Sequence, residues 1–177
     1  MPKIHSFEPS AATFKELQAN VAHDRNVHTW NFGLGSIASR QPFFETNQSV
    51  MNSFLRGGQE SWVQTINETA VDVHTVDDFC AEEQIATIDV LKSDTQGYDL
   101  EVLKGCERTM RDGRIKLLYL EMNFAKIYQD QGSPGRQYDF LTSHGFRLFS
   151  FYQIFRYNGL AAWTDALFVH DSLHSTA

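Results

Sequence analysis

Ile88-Asp89-Val90-Leu91-Lys92-Ser93-Asp94-Thr95-Gln96-Gly97-Tyr98 is the stretch from which the rest of the chain can be ordered. The apolar run from Ile88 to Leu91 closes on Lys92-Ser93-Asp94, which reads as a buried strand handing over to a polar loop. After Gly97, Leu100, Leu103 and Met110 recur at helical spacing and predict a helix from Tyr98 to about Arg111, stopped by Gly113. A strand, an acidic loop and a helix in that order form a βα unit, and such units build parallel sheets.

Working towards the N-terminus, the alternation of Val71, Val73 and Val76 predicts a strand over 70–76, with a short helix opened by Asp77-Asp78 and ending near Glu83. The segment from Ser36 to Asn67 has no firm period and is read as irregular, with short strands. Lys3 to Phe7 is a strand closed by Pro9. Ser10 caps a helix running from Ala11 to about Ala22, and Val27 to Phe32 is a further strand, halted by Gly33-Leu34-Gly35. Towards the C-terminus, Ile115 to Leu120 is a buried strand ending at Glu121, followed by a helix over 135–144. Phe146 to Phe151 and Asp165 to Val169 are strands that no helix separates, with Asn158-Gly159 as a tight turn between them. The expected fold class is therefore α/β, a doubly wound, mostly parallel sheet with an antiparallel C-terminal edge pair.

Composition supports one core and narrows the function classes. The chain has 177 residues, 42% hydrophobic, with 15 Lys and Arg against 22 Asp and Glu. Its net charge of -7 repels phosphate backbones and anionic membrane surfaces, so neither nucleic acid nor membrane is expected as a partner. No apolar run approaches the roughly 18 residues of a membrane span, and the N-terminus has no apolar signal core, which leads to a cytoplasmic expectation. Cys80 and Cys106 are isolated and read as reduced, partly buried thiols. Histidines 5, 23, 28, 74, 144, 170 and 174 show no metal-binding spacing; they read mostly as surface residues, and no metal is expected.

In a doubly wound sheet, ligands sit beyond the carboxyl ends of the strands, where Glu8, Gly33 to Gly35, Asp94 and Glu121 stand. Glu8 either accepts hydrogen bonds from the two hydroxyls of a ribose or caps the next helix. Phe146, Phe149, Phe151, Tyr152, Phe155 and Tyr157 either pack in the core, line an acceptor pocket or meet another protein surface, with core packing favoured at this density.

The segment Ile88 to Gly105, with its Lys92-Ser93-Asp94 strand end, Gln96-Gly97-Tyr98-Asp99 and closing Leu103-Lys104-Gly105, resembles the signature of FkbM-type S-adenosylmethionine-dependent methyltransferases. Phe7-Glu8-Pro9-Ser10 looks like that family's second strand and ribose-binding acid, Thr75 to Phe79 like its Thr-x-Asp-Asp-Phe segment, and Thr164 to Val169 like its closing strand. The resemblance runs from Ile4 to Val169. It implies a Rossmann-like domain over 1–177 that uses S-adenosylmethionine to methylate a hydroxyl of a sugar or secondary metabolite. Its cofactor contacts would be Glu8, Ser10, Gly33, Leu34, Asp94 and Gln96, and its catalytic candidates Asp94 and Glu121. Asp94 is the expected base, or else it orients the cofactor or caps the helix after Gly97. Glu121 is a second candidate in the same cleft, or else a rim charge. Lys92 either pairs with Asp94 or is structural. Gln96, where the family often has Glu, suits a positioning role.

One departure concerns the start of the fold, because a nucleoside-binding sheet places its first strand and Gly-rich loop about 20 residues before the ribose acid. Seven residues precede Glu8, so the first βα unit is expected to be absent from the middle of the sheet, as in an N-terminally truncated chain. A chain without that unit would re-pair its strands, borrow a strand from a partner, or be an incomplete gene product, of which truncation of a longer protein is the expected case; a homo-oligomer is a further expectation. The rival functional readings are a folded, non-catalytic binding module and a nicotinamide-linked oxidoreductase. The latter suits Glu8 equally well, but the segment from Lys92 to Gly105 does not resemble one.

Overall fold

The computed structural model describes residues 2–58 and 61–173, so His174 lies outside the described residues. The chain begins with β1 (Ile4–Phe7), α1 (Ala11–Val21) and β2 (Val27–Trp30). Ser10 caps α1, its hydroxyl accepting the Thr13 N–H at 3.5 Å, and β1 and β2 pair in parallel from Ile4/Val27 to Phe7/Trp30. This strand–helix–strand unit is the one expected from the spacing.

β3 (Gly33–Leu34) follows, and the segment from Ser36 to Asn67, read as irregular with short strands, contains the eight-residue β4 (Ser39–Thr46) and the start of β5 (Thr65–His74), in a sheet of order β3-β5-β4. β4 runs antiparallel to β5, with Phe43 and Phe44 buried as neighbours on opposite faces. Pro42 and the polar ends of β4 hide the alternation that would betray such a strand.

After β5 come α2 (Val76–Glu82), β6 (Ile88–Ser93), α3 (Asp99–Lys104) and α4 (Glu107–Arg111). The single helix expected from Tyr98 to Arg111 is thus broken at Gly105 and Cys106. The cause is a close crossing: a side chain at Gly105 would run into the Gly35 carbonyl, while the Gly105 carbonyl accepts the Asp77 N–H at 2.9 Å. Asp77 also accepts the N–H groups of Arg108 (2.9 Å) and Thr109 (2.8 Å), so its side chain caps α4, whereas Thr75 caps α2.

The last sheet contains β6, β7 (Ile115–Asn123), β8 (Phe146–Tyr157) and β9 (Leu160–His170), in the order β6-β7-β9-β8, with α5 (Pro134–Ser143) between β7 and β8. β7 is parallel to β6 and antiparallel to β9, and β8 is antiparallel to β9. The fold is α/β with mixed sheets, which corrects the mostly parallel expectation: among the described residues three strand pairings are parallel and three antiparallel. Leu118, Leu120 and Met122 turn one face of β7 into the core with Leu103, Met110, Leu141 and Phe168. Tyr119, Glu121 and Asn123 therefore take the other face, by the period of two.

Of the aromatic residues on β8 only Phe146 is core; Phe149, Phe151, Tyr152, Phe155 and Tyr157 are exposed, which corrects the core-packing preference. The hairpin turn is as expected, with Asn158 at φ 50° and Gly159 at φ 80°. Gly159→Val forces a β-branched residue into the left-handed region and is expected to destabilise the protein by about 1–2 kcal/mol in urea unfolding. A midpoint unchanged from the parent would contradict that turn geometry.

Among the described residues no helix is long and apolar enough to cross a membrane, and no cluster of three or more His, Cys, Asp or Glu could hold a metal ion. Cys80 and Cys106 are free and fully buried.

Candidate functional site

A cavity of about 790 Å³ lies beyond the carboxyl ends of β1 and β6, lined by Glu8, Asp94, Gln96, Glu121, Asn123 and Trp163 among others. β1 and β6 contribute facing walls, yet among the described residues each pairs on one side only, with β2 and β7 respectively. A smaller cavity of about 370 Å³ continues between their N-terminal halves, at Lys3, Ile4, Val90 and Leu91.

The loop after β6 is held from several sides. Asp99, wholly buried at the start of α3, accepts the Ser93 hydroxyl at 2.6 Å and the Thr95 N–H at 3.1 Å through one oxygen. Gln96 and Gly97 both have positive φ, so the chain turns sharply there. The Ser53 hydroxyl donates to the Gln96 carbonyl (2.8 Å) and the Tyr128 hydroxyl to the Gln96 side-chain oxygen (3.1 Å). That leaves the Gln96 amide nitrogen to bridge two carboxylates, Asp94 at 2.9 Å and Glu121 at 3.3 Å.

The two carboxylates differ in environment. Asp94 is exposed and paired with Lys92 at 2.9 Å. Glu121 is 7% exposed, at the end of β7, and also receives the Asn123 amide at 2.8 Å. Burial, reinforced by the nearby Asp94 charge and only partly opposed by the Asn123 hydrogen bond, pushes the Glu121 carboxyl up to about 7. A carboxyl poised there can take a proton at neutral pH and give it up again.

Glu8, across the cavity on the chain leaving β1, accepts the Ser10 N–H at 2.8 Å through Oε1. That contact ties Glu8 to the start of α1, and its Oε2 has no hydrogen-bond partner among the described residues. Burial, with Glu45 nearby, raises its pKa despite the Ser10 N–H.

The structure brings Glu8, Gly33, Leu34, Asp94, Gln96 and Glu121 to one cavity. It places Ser10 elsewhere: the side chain is buried, caps α1 and donates to Glu45 at 2.7 Å. Gly33 is needed for packing, because a side chain there would strike the Phe54 ring, and Gly33-Leu34 pairs with β5 as a strand. Asn123, Tyr128 and Trp163 were not singled out from sequence. Only the period of two, counted on from Glu121, points to Asn123.

The match to the FkbM methyltransferase domain model covers residues 1–148. The 2-O-methyltransferase NoeI of Sinorhizobium fredii is 27% identical over 70 residues, 40% of this chain and 28% of that protein. The crystal structure of a methyltransferase FkbM from Methylobacillus flagellatus superposes with a TM-score of 0.54 at 14% identity, covering 95% of this chain and 36% of that one. The chain thus spans about a third of the length of the proteins it matches. With the match running from the first residue past Glu8, Asp94, Gln96 and Glu121, this chain belongs to the FkbM methyltransferase domain family.

Proposed function

We propose that the chain is a Rossmann-like methyltransferase domain whose cavity serves S-adenosylmethionine-dependent O-methylation, with a hydroxyl of a small molecule or carbohydrate as acceptor. The observation that carries this is Glu121, a buried carboxyl held near neutrality at a strand end in a cavity shared with Glu8. The residues present suit the cofactor. Glu8 has a free oxygen for ribose hydroxyls, and the cavity has the volume of an ordinary ligand pocket.

When bound, the sulfonium would supply the methyl group and the leaving sulfur. Glu121 accepts the acceptor's hydroxyl proton as the new oxygen–carbon bond forms, and afterwards releases it to water. Gln96 and Asn123 hold the Glu121 carboxylate in place, and Asp94 fixes Gln96 from the other side. The base role thus goes to Glu121; Asp94, exposed and tied to Lys92, is a positioning residue. Buried thiols at Cys80 and Cys106 accord with a reducing, cytoplasmic setting.

Calorimetric titration of the folded chain with S-adenosylmethionine and S-adenosylhomocysteine tests the cofactor assignment. Binding in the micromolar range is expected, weakened by roughly 1–3 kcal/mol in Glu8→Ala because ribose hydroxyls lose their acceptor. A chain that is folded by circular dichroism but binds neither compound would overturn the assignment and favour a non-catalytic binding module.

A further inference from the structure

Beyond Glu121, the same face of the last sheet carries a row of side chains of which the mechanism above uses only Asn123, and that through its amide nitrogen alone. Asn123 on β7, Trp163 on β9 and Phe155 on β8 are successive cross-strand partners, so they stand side by side on one face. Phe155 and Trp163 stack with ring centroids 5.1 Å apart and an interplanar angle of 11°. Both rings remain partly exposed, and Trp163 lines the large cavity together with Asn123 and Glu121.

Asn123 is 2% exposed. Its amide nitrogen donates to Glu121 Oε2, and when Glu121 is ionised, the form that acts as base, the carboxylate only accepts and so fixes the amide's orientation. The amide oxygen is thereby left with no hydrogen-bond partner among the described residues, although it is buried. Buried acceptors are ordinarily satisfied, and one left open in the wall of a cavity is placed to take a donor that a ligand brings.

We propose that this row is the acceptor subsite and that it selects a hydroxylated ring bearing two adjacent free hydroxyls. One hydroxyl meets the Glu121 carboxylate and its neighbour donates to the Asn123 amide oxygen. The two protein acceptors are separated by a single amide group, which suits neighbouring hydroxyls on one ring. The apolar face of that ring lies against Trp163, as sugar rings do on indoles. A site built to pair a hydroxyl discriminates strongly against an analogue lacking it. This inference rests on the methyltransferase reading for the role of Glu121, but its test does not require turnover.

The test is equilibrium binding, by saturation-transfer NMR, of methyl hexopyranosides to the whole chain, each beside its 3-deoxy analogue, which retains no adjacent pair of free ring hydroxyls. The parent sugars are expected to bind about 10-fold more tightly than the 3-deoxy compounds, the loss expected for one hydrogen bond to the buried amide. Asn123→Ala should reduce that ratio to near one, and Trp163→Ala should weaken both compounds alike. Equal binding of parent and 3-deoxy sugars, no pyranoside binding at all, or an unchanged ratio in a folded Asn123→Ala protein would each overturn the proposal. If Asn123→Ala does not fold, the comparison on the unaltered chain decides. Titrating S-adenosylhomocysteine into the same samples separates the two readings: cofactor binding without the diol preference removes only the subsite, and the preference without cofactor binding removes only the methyltransferase reading.

Discussion

Glu121→Gln is expected to lower the rate of methyl transfer by about 10²- to 10⁴-fold, the usual contribution of a positioned general base, while leaving S-adenosylhomocysteine affinity nearly unchanged. The substitution keeps the size of the side chain but removes its capacity to take a proton. In the unaltered protein the rate should rise as pH passes through about 7, where Glu121 becomes ionised, and that limb should vanish in the variant. Stability provides a second readout with a definite sign. The folded-state pKa lies above the ordinary 4.5, so between the two values the folded protein binds more protons than the unfolded chain. The stabilisation from Glu121 is complete below about 4.5 and is lost as pH rises through 7, a change of about 3 kcal/mol that Glu121→Gln should abolish. Because Glu8 and Asp99 are also raised, the informative quantity is the difference between the two proteins, not either curve alone. A variant that turns over at the parental rate would remove Glu121 from the chemistry.

Elements with strong local signals could be read from sequence, and those shaped by distant contacts could not. β1, α1, α5 and the hairpin turn at Asn158-Gly159 match their expected positions because a cap, a proline or a left-handed turn announces each one. The split between α3 and α4 escaped notice because Gly105 and Cys106 sit in an otherwise helical apolar pattern. What breaks the helix is the Gly35 strand end, seventy residues away in the chain. The length and place of β4 are hidden for a related reason: its apolar residues are confined to Phe43 and Phe44, and its pairing with β5 is non-local. The site followed the same rule. Glu8, Asp94 and Glu121 stand where strands end and could be named from that alone. Their division of labour depends on burial, which separates a near-neutral Glu121 from an exposed, Lys92-paired Asp94. Trp163 belongs to the cavity through strand pairing and could not be placed there from spacing.

Asp99→Ala is the substitution with the largest expected effect on the fold itself: about 3 kcal/mol of stability, or roughly 10 °C in melting temperature for a chain of this size. Asp99 is fully buried, and one of its oxygens accepts both the Ser93 hydroxyl and the Thr95 N–H. Removing it leaves the buried Ser93 hydroxyl and the partly buried Thr95 N–H without a partner, and a void beneath the turn. Asp99→Asn separates charge from geometry. Its amide oxygen can still take both donors, and its neutral form avoids the desolvation that raises the Asp99 pKa, so it should cost about 1 kcal/mol. Equal melting temperatures for the two variants would show that the hydrogen bonds to Ser93 and Thr95 are not what holds the turn. The consequence for the site follows from the same atoms. The turn spanning Asp94 to Tyr98 is clamped between Ser93 and Asp99, and it presents Gln96, at φ 54°, to both Asp94 and Glu121. Once that clamp is released, Gln96 no longer has a fixed position from which to hold the Glu121 carboxylate. Residual folded Asp99→Ala protein at low temperature should therefore lose turnover further than its folded fraction accounts for, whereas Asp99→Asn should retain it.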